Sequence, residues 1–168
     1  MQQKKGKFVP GGFALRIGRS RAGLGLFAKE PIKKGACIIE YVGRELSEAE
    51  TYTSRSKYLF EVSKTKTIDG SVRSNIARYI NHACKPNCEI EIRKSRVFVM
   101  AKRNIKAGEE LHYDYDTEYF DEHIKPLGCR CIGCKPASEE KTARRVLAVD
   151  TESLPRGTKE KSAVALVR

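Results

Sequence analysis

Three cysteines close together in the C-terminal third of the sequence are its strongest chemical signal. Cys129, Cys131 and Cys134 form the pattern Cys-x-Cys-x-x-Cys. Thiolates at such spacing are typical ligands of Zn²⁺, which takes four tetrahedral ligands in a structural site. The fourth ligand must come from a distant segment, and Cys84 and Cys88 are the candidates. A cluster of free thiols or a redox pair is the alternative.

A dense polar and aromatic cluster lies upstream, at residues 78–88. It reads Arg-Tyr-Ile-Asn-His-Ala-Cys-Lys-Pro-Asn-Cys. Asn81 offers hydrogen-bond donors and an acceptor together, which suits the amine and carboxylate of an amino-acid-like ligand. A satisfied polar loop is the usual explanation of an isolated Asn-His pair, but this density of functional groups is unlike a connecting loop.

The segment 108–115 carries two phenols at alternate positions. In a strand, Leu111, Tyr113 and Tyr115 would share one face. The two tyrosines could then border a channel, or they could be half-buried core residues.

Paired glycines mark the segment 21–27. Gly23 and Gly25 lack side chains, so a ligand could approach the backbone there closely. An ordinary turn is the alternative. A dinucleotide-binding loop is excluded because no third glycine follows at the required spacing.

Short strands are the elements predicted to position these segments. A capping box over Ser47–Glu50 predicts a short helix to about Lys57, and a helical turn is expected around 75–80. Alternation and β-forming residues predict strands at 13–17, 36–42, 58–62, 88–92, 97–101 and 111–115, of which the fourth and fifth form a hairpin.

The charge balance bears on partners and location. The formal net charge is +12, which favours an anionic partner such as nucleic acid or chromatin, with a merely soluble basic surface as the alternative. The acidic stretch 109–122 could receive a basic peptide. The sequence shows neither a signal peptide nor an apolar run of about 20 residues. We therefore expect no membrane partner and a cytoplasmic or nuclear location, where the six cysteines stay reduced.

Taken in order, these segments resemble the SET domain of protein-lysine N-methyltransferases with its post-SET zinc motif. The similarity covers about residues 12–136 and lacks the cysteine-rich segment that precedes the SET domain in some relatives. The motifs that carry it are Gly-Leu-Gly-Leu-Phe-Ala, Glu-Tyr-Val-Gly, Tyr-Leu-Phe-Glu-Val, Arg-Tyr-Ile-Asn-His-Ala-Cys-Lys-Pro-Asn, Gly-Glu-Glu-Leu-x-Tyr-Asp-Tyr and Cys-x-Cys-x-x-Cys.

The resemblance implies a fold class and an organisation. The fold would be mainly β with short helices: small curved β-sheets with a knot-like crossing, where the segments of Asn81 and Tyr115 meet. The expected parts are a basic N-terminal arm at 1–11, the SET domain at 12–118, the post-SET zinc segment at 119–136 and a C-terminal tail at 137–168, helical in part near 139–147.

The resemblance also assigns roles to individual residues. Tyr115 would be the catalytic tyrosine, with Tyr113 and Tyr58 lining the lysine channel. One structural Zn²⁺ would be held by Cys84, Cys129, Cys131 and Cys134, which leaves Cys88 as a spare thiol. S-adenosyl-L-methionine would contact Gly23, Leu24, Gly25, Leu26, Arg78, Tyr79, Asn81 and His82.

The implied activity is methyl transfer to the ε-amine of lysine in a basic protein such as a histone tail. A tyrosine at position 113 resembles members that add one or two methyl groups. The source is open: the chain could act on the chromatin of its own cell or be a microbial protein acting in a host. Two alternatives remain, a non-catalytic SET-derived module that binds an anionic partner and a redox or zinc-storage protein. The intact set of Asn81, His82, Tyr113 and Tyr115 favours the enzyme.

Overall fold

The structure is a computed structural model that describes residues 7–131, 133 and 134. The C-terminal tail with its expected helix, and the first six residues of the expected basic arm, lie outside the described residues. No helix among the described residues is long and apolar enough to cross a membrane.

Most of the regular structure is short strands. They are β1 (Leu15–Ser20), β2 (Gly23–Ala28), β3 (Cys37–Tyr41), β4 (Arg44–Leu46), β5 (Leu59–Ser63), β6 (Lys66–Asp69), β7 (Asn81–His82), β8 (Cys88–Arg93), β9 (Arg96–Ala101) and β10 (His112–Tyr113). The helical pieces are α1 (Glu48–Thr53), a 3-10 turn at Ile76–Tyr79, α2 (Thr117–Tyr119), a π-helical turn at Phe120–Ile124 and a 3-10 turn at Lys125–Leu127. The expected fold class, mainly β with short helices, is confirmed.

Within the described part of the chain the strands form four small sheets. The antiparallel sheets have the orders β1-β2, β3-β9-β8 and β4-β6-β5, and β7 pairs with β10 in parallel. The predicted hairpin is β8–β9. Its two-residue turn has positive φ at Lys94 (48°) and Ser95 (57°), a conformation that matches the twist of hairpin strands.

Strand β9 is the centre of the core because both of its faces are covered. Val97 and Val99 are fully buried in the main cluster, which also holds Leu26 and Leu111. On the other face Phe98 packs against Phe8, with ring centroids 5.6 Å apart. The β-branched and aromatic residues of this strand suit a sheet that is buried on both sides.

Two residues of the expected N-terminal arm lie against this sheet. Besides the packing of Phe8, the amide of Gly11 donates to Cys37 O at 2.8 Å. Phe8 and Gly11 therefore hold this segment against the β3-β9-β8 sheet.

The parallel pair β7–β10 brings the Asn-His segment and the tyrosine segment side by side. Asn81 is in register with His112, and His82 with Tyr113. Asn87 reinforces the junction, since its side chain donates to Glu110 O (2.7 Å) and accepts from the amide of His112 (2.8 Å). Two motifs that are distant in sequence thus become neighbours, as the resemblance implied.

Candidate functional site

The side chain of Asn81 donates to three acceptors. Its Nδ2 donates to Leu24 O at 2.9 Å and to Glu110 Oε1 at 2.8 Å, with Ser20 Oγ at 3.3 Å. A carbonyl and a carboxylate can only accept, so the amide orientation is fixed with Nδ2 facing them. Among the described residues no group donates to Oδ1. The side chain therefore offers an acceptor, which fits the ammonium group of an amino-acid-like ligand.

The glycine segment forms the other side of this corner. A β-carbon on Gly25 would lie 2.3 Å from Glu110 Oε1, so glycine is required for the carboxylate to reach Asn81. Gly23 has φ +117° and no atom within 4 Å of the position where a β-carbon would be, and Leu24 is 51% exposed. The chain is open at these two residues, whereas Leu26 is fully buried in the core.

An aromatic cluster lies on the far side of the β7–β10 junction. The rings of Tyr113 and Tyr115 are 4.8 Å apart, Tyr113 is 6.5 Å from Phe60, and Phe60 is 5.4 Å from Tyr41. The hydroxyl of Tyr115 donates to Ile80 O at 2.8 Å. Burial raises the pKa of Tyr113 and of Tyr115, so both phenols are neutral at physiological pH.

Tyr41 and Phe60 were not among the predicted site residues. Each is one of several apolar residues in a strand that also has polar positions, so nothing in the sequence pattern separated them from core residues. Their place in the cluster follows from the packing of two sheets around Tyr113, with Tyr41 also donating its hydroxyl to Tyr58 O at 2.9 Å.

Tyr58 and Tyr79 are joined through Arg78. The guanidinium carbon of Arg78 is 5.1 Å from the ring centre of Tyr58 and 4.9 Å from that of Tyr79. Arg78 also donates to the Tyr79 hydroxyl (2.9 Å) and to Ser71 O, while its Nε is buried with no partner among the described residues. The structure thus places Arg78 beside Tyr58 and not among the hydrogen-bond partners of Asn81.

His82 connects the tyrosine segment to the thiol cluster. Its Nδ1 accepts from the amide of Tyr115 at 3.2 Å, and its Nε2 lies 3.4 Å from Cys84 Sγ. The ring packs against Tyr115 (5.5 Å) and Phe120 (5.0 Å). Burial lowers the pKa of His82, partly offset by Asp114. The neutral ring that accepts at Nδ1 carries its proton on Nε2, which then donates to the sulfur.

Four thiols converge next to this histidine. The sulfurs of Cys84, Cys129, Cys131 and Cys134 all lie within 4.8 Å of one another. The sulfur of Cys84 is 3.8 Å from that of Cys129 and 3.6 Å from that of Cys134. Tetrahedral Zn²⁺ with bonds of about 2.3 Å separates its sulfur ligands by about 3.8 Å. The donor set therefore fits a four-coordinate structural zinc with no open position.

Cys88 lies elsewhere. It is fully buried, its sulfur donates to Asn87 Oδ1 at 3.4 Å, and burial raises its pKa to about 12. Of the two candidates for the fourth ligand, the structure thus brings Cys84 to the other thiols and leaves Cys88 in the core.

The acidic stretch 109–122 is divided among internal contacts. Glu109 pairs with Arg103, and Glu110 holds Asn81. Further along, Asp116 accepts from the amide of Tyr119 and Asp121 pairs with Lys125, both at 2.9 Å. Much of this stretch is therefore engaged within the chain.

Asp114 supplies the carboxylate of the stretch that lies beside the aromatic cluster, with its Oδ1 3.4 Å from His82 Nδ1. The side chain of Asp114 is 65% exposed, and it lies between Tyr113 and Tyr115 in the chain. The ring of Tyr119 closes on Tyr115 from the C-terminal side, at 5.3 Å.

Known proteins share this arrangement of motifs. The SET domain family model matches residues 23–116. "Histone-lysine N-methyltransferase trr" of Drosophila melanogaster is 40% identical over 126 residues, which are 67% of this chain and 5% of that protein. "Histone-lysine N-methyltransferase, H3 lysine-4 specific" of Yarrowia lipolytica is 42% identical over 126 residues, 66% of this chain and 11% of that protein.

A human protein is also similar to this chain over a small part of its own length. "Histone-lysine N-methyltransferase 2D" of Homo sapiens is 34% identical over 134 residues, 71% of this chain and 2% of that protein. The chain thus spans a small part of these relatives, between 2% and 11% of their length. The family model covers more than half of the chain and both halves of the β7–β10 junction. The chain belongs to the SET-domain family.

Proposed function

We propose that this chain transfers a methyl group from S-adenosyl-L-methionine to the ε-amine of a lysine in a basic protein, most readily a histone tail. The observation that carries the proposal is the β7–β10 junction. At this pair of strands Asn81 donates through Nδ2 to Leu24 O of the glycine segment and keeps Oδ1 as an acceptor, while Tyr115, two residues beyond β10, has its phenol in the aromatic cluster. The names of the relatives, all histone-lysine N-methyltransferases, support it.

The cofactor would occupy the corner between Asn81 and the glycine segment. Asn81 Oδ1 would accept from the ammonium of its methionyl end, and the open backbone at Gly23 and Leu24 would lie against the remainder. Bound there, S-adenosylmethionine supplies a methyl group already activated by its positive sulfur, so the chain needs only to bind and orient it.

The lysine would enter through the aromatic cluster. The walls of Tyr41, Phe60 and Tyr113 suit an aliphatic stem, and Asp114 at the surface suits the positive residues of a basic tail. Free lysine has a pKa of about 10.4. Apolar walls and a nearby positive sulfur disfavour the ammonium form, so the amine would lose its proton to solvent before it reacts.

The tyrosines would orient the amine and would not ionise. Because Tyr115 donates to Ile80 O, its hydroxyl oxygen remains an acceptor for an amine N–H. Held in this way, the amine would turn its lone pair away from the Tyr115 oxygen and towards the cofactor corner, where a bound S-adenosylmethionine would supply the methyl group. Alignment of this kind contributes several kcal/mol to catalysis.

We also propose one structural Zn²⁺ on the four thiols. It would hold the segment that contains Cys129, Cys131 and Cys134 against the Asn-His segment through Cys84. With four sulfur ligands the metal has no open position, so it stabilises the site and does not react. A histone substrate would place the activity on chromatin, in the nucleus.

The decisive experiment is transfer of labelled methyl groups to core histones, with mass spectrometry of the products. Tyr115→Phe and Asn81→Ala are expected to remove most of the transfer, because they delete the orienting oxygen and the ammonium acceptor. Tyr52→Phe is the matched control, since Tyr52 is 93% exposed. Full activity of both site variants would contradict the assignment. Cofactor binding without transfer to any basic protein would favour the non-catalytic module.

A further inference from the structure

Two distant segments of the chain carry the same residue pattern. Residues 28–35 and 101–108 both read Ala-Lys-x-x-Ile-Lys-x-Gly. In the fold they lie antiparallel, joined where Ile32 meets Ile105. The amide of Ile32 donates to Ile105 O at 2.9 Å, and the amide of Ile105 donates to Ile32 O at 2.8 Å.

The pairing is close to two-fold symmetric. Gly35 N donates to Ala101 O, and Gly108 N donates to Ala28 O, both at 2.7 Å. The two glycines have nearly equal positive φ values, 79° and 84°. A local two-fold axis therefore passes between the isoleucines and exchanges one segment with the other.

Two lysines of each segment lie an odd number of positions from its buried isoleucine, which puts them on the face that points away from the core. The first alanine and the isoleucine of each segment are buried, with at most 1% exposure, and the lysines are all exposed. Lys29 is related to Lys102, and Lys33 to Lys106. None of them forms an ion pair with a described residue. We call this surface the basic ridge; its members are Lys29, Lys33, Lys34, Lys102 and Lys106.

Few carboxylates offset the ridge. Glu30 accepts from the amide of Ala14 at 2.9 Å, and Glu109 is paired with Arg103. The ridge therefore has a clear excess of positive charge, in keeping with the net charge of +12.

The shape of the ridge selects among anionic partners. An eight-residue antiparallel pair is at most about 23 Å from end to end at roughly 3.3 Å per residue. Duplex DNA presents about a dozen phosphates over that length. Its two backbones are related by local two-fold axes, which protein two-fold symmetry can match. An acidic polypeptide has a direction and no such axis.

We propose that the basic ridge binds the phosphate backbones of duplex DNA, with its local two-fold axis aligned to one of the duplex. A lysine side chain carries a compact positive charge on a flexible stem and binds phosphate without contacting the base edges. The binding is therefore independent of base sequence. The proposal does not rest on the methyltransferase activity, because the ridge includes none of the residues assigned to the methyl-transfer site.

The test is fluorescence anisotropy of the full zinc-loaded chain with a labelled duplex of about 20 base pairs, over a range of salt concentrations. The variant Lys29→Gln/Lys33→Gln/Lys102→Gln/Lys106→Gln is expected to bind at least about 30-fold more weakly and to lower the salt slope by about three to four. Its matched control, Arg55→Gln/Lys57→Gln/Lys64→Gln/Lys94→Gln, changes the net charge equally at other exposed positions and is expected to keep most of the affinity.

The local two-fold symmetry of the ridge provides a second test, the comparison of two single variants. Lys33→Gln and Lys106→Gln are expected to weaken binding by equal factors, because the axis exchanges them. Equal losses for the ridge variant and the control would show a general charge effect and overturn the proposal. So would a loss of polyglutamate binding as large as the loss of duplex binding. All these variants are expected to retain methyl transfer to a free basic peptide, which confirms that they fold.

Discussion

At the scale of single residues, the surroundings of Tyr113 bear on the number of methyl groups that the product carries. The ring of Tyr113 contacts both Tyr115 and Phe60, and burial raises its pKa. Its hydroxyl thus stays protonated and occupies space beside the proposed methyl-transfer position. A neutral hydroxyl there can hold the amine or a water molecule, and it limits the room for added methyl groups.

We therefore expect Tyr113→Phe to shift products towards trimethyl-lysine. Loss of the hydroxyl frees about the volume of one water molecule in an otherwise packed cluster. Mass spectrometry of a methylated basic peptide at full conversion would give the ratio of methylation states. Tyr52→Phe, on the exposed face of α1, should leave that ratio unchanged. An unaltered product ratio in Tyr113→Phe would contradict the proposed limit of one or two methyl groups.

His112 makes stability depend on pH. Burial lowers its pKa below the ordinary value of 6.5, although Glu110 and Glu109 act in the opposite direction. The folded chain therefore binds a proton at His112 less readily than the unfolded chain does. Well above pH 6.5 the imidazole of His112 is neutral in both the folded and the unfolded chain. As the pH falls through 6.5, the unfolded chain binds the proton more readily, so the folded state loses stability.

The corresponding expectation is that His112→Gln reduces the loss of stability between about pH 7.5 and 5.5. Urea unfolding at several pH values, followed by circular dichroism, measures it. His123→Gln provides the control because that side chain is 58% exposed. If the pH dependence of His112→Gln matched that of the parent chain, burial of this imidazole would not be its source.

At the scale of elements, the sequence predicted the structure best where one segment contains its own signal. The strict alternation over 88–92, followed by the run of β-forming residues at 97–101, predicted the β8–β9 hairpin. The capping box of Ser47 and Glu50 predicted the start of α1, and both of its hydrogen bonds are present. The helix ends at Thr53 and not near Lys57, because the backbone becomes extended at Ser54.

Elements that exist only through a partner were missed. β2 contains Gly23 and Gly25, which hide the two-residue period, and its register is supplied by β1. β7 is two residues long and is a strand only because β10 pairs with it. Such pairings depend on contacts that are distant in sequence, so local propensity does not reveal them.

Within β2, Gly25 is the residue on which the cofactor corner depends. Gly25→Ala would place a methyl group 2.3 Å from Glu110 Oε1 and force that carboxylate away from Asn81. We expect the variant to bind S-adenosylhomocysteine about tenfold more weakly, since each lost charge-assisted hydrogen bond contributes about 1.5–3 kcal/mol. Isothermal titration calorimetry gives the affinity.

A companion variant tests the cause. Glu110→Gln keeps an oxygen that can accept from Asn81, so it should bind the ligand more tightly than Gly25→Ala does. Equal affinity of Gly25→Ala and the parent chain would show that Glu110 does not position Asn81.

At the scale of the whole described molecule, the site is an assembly of segments from both ends of the SET domain. The motifs could be recognised from the sequence because each is locally dense in functional groups. The contributions of Tyr41, Phe60 and the paired segments 28–35 and 101–108 were not, since their residue types are ordinary and only tertiary contacts bring them together.

The thiol cluster joins the segment of Cys129, Cys131 and Cys134 to the methyl-transfer site through His82. Its Nε2 faces Cys84 Sγ and its Nδ1 accepts from the amide of Tyr115, so metal at the thiols would fix the orientation of a ring that supports the tyrosine. Groups hydrogen-bonded to metal ligands are known to tune both the site and its metal. Zinc loss should therefore disturb the aromatic cluster as well as the C-terminal segment.

Metal analysis of three forms of the chain tests this assembly. The parent chain is expected to carry about one zinc, and Cys84→Ser to lose most of it together with methyl transfer, because three thiolates do not complete the tetrahedron. Cys88→Ala should keep its zinc, since that sulfur lies in the core beside Asn87. Its urea midpoint would fall modestly because a buried group is removed. Zinc retained by Cys84→Ser but lost by Cys88→Ala would reverse the ligand assignment and detach His82 from the metal.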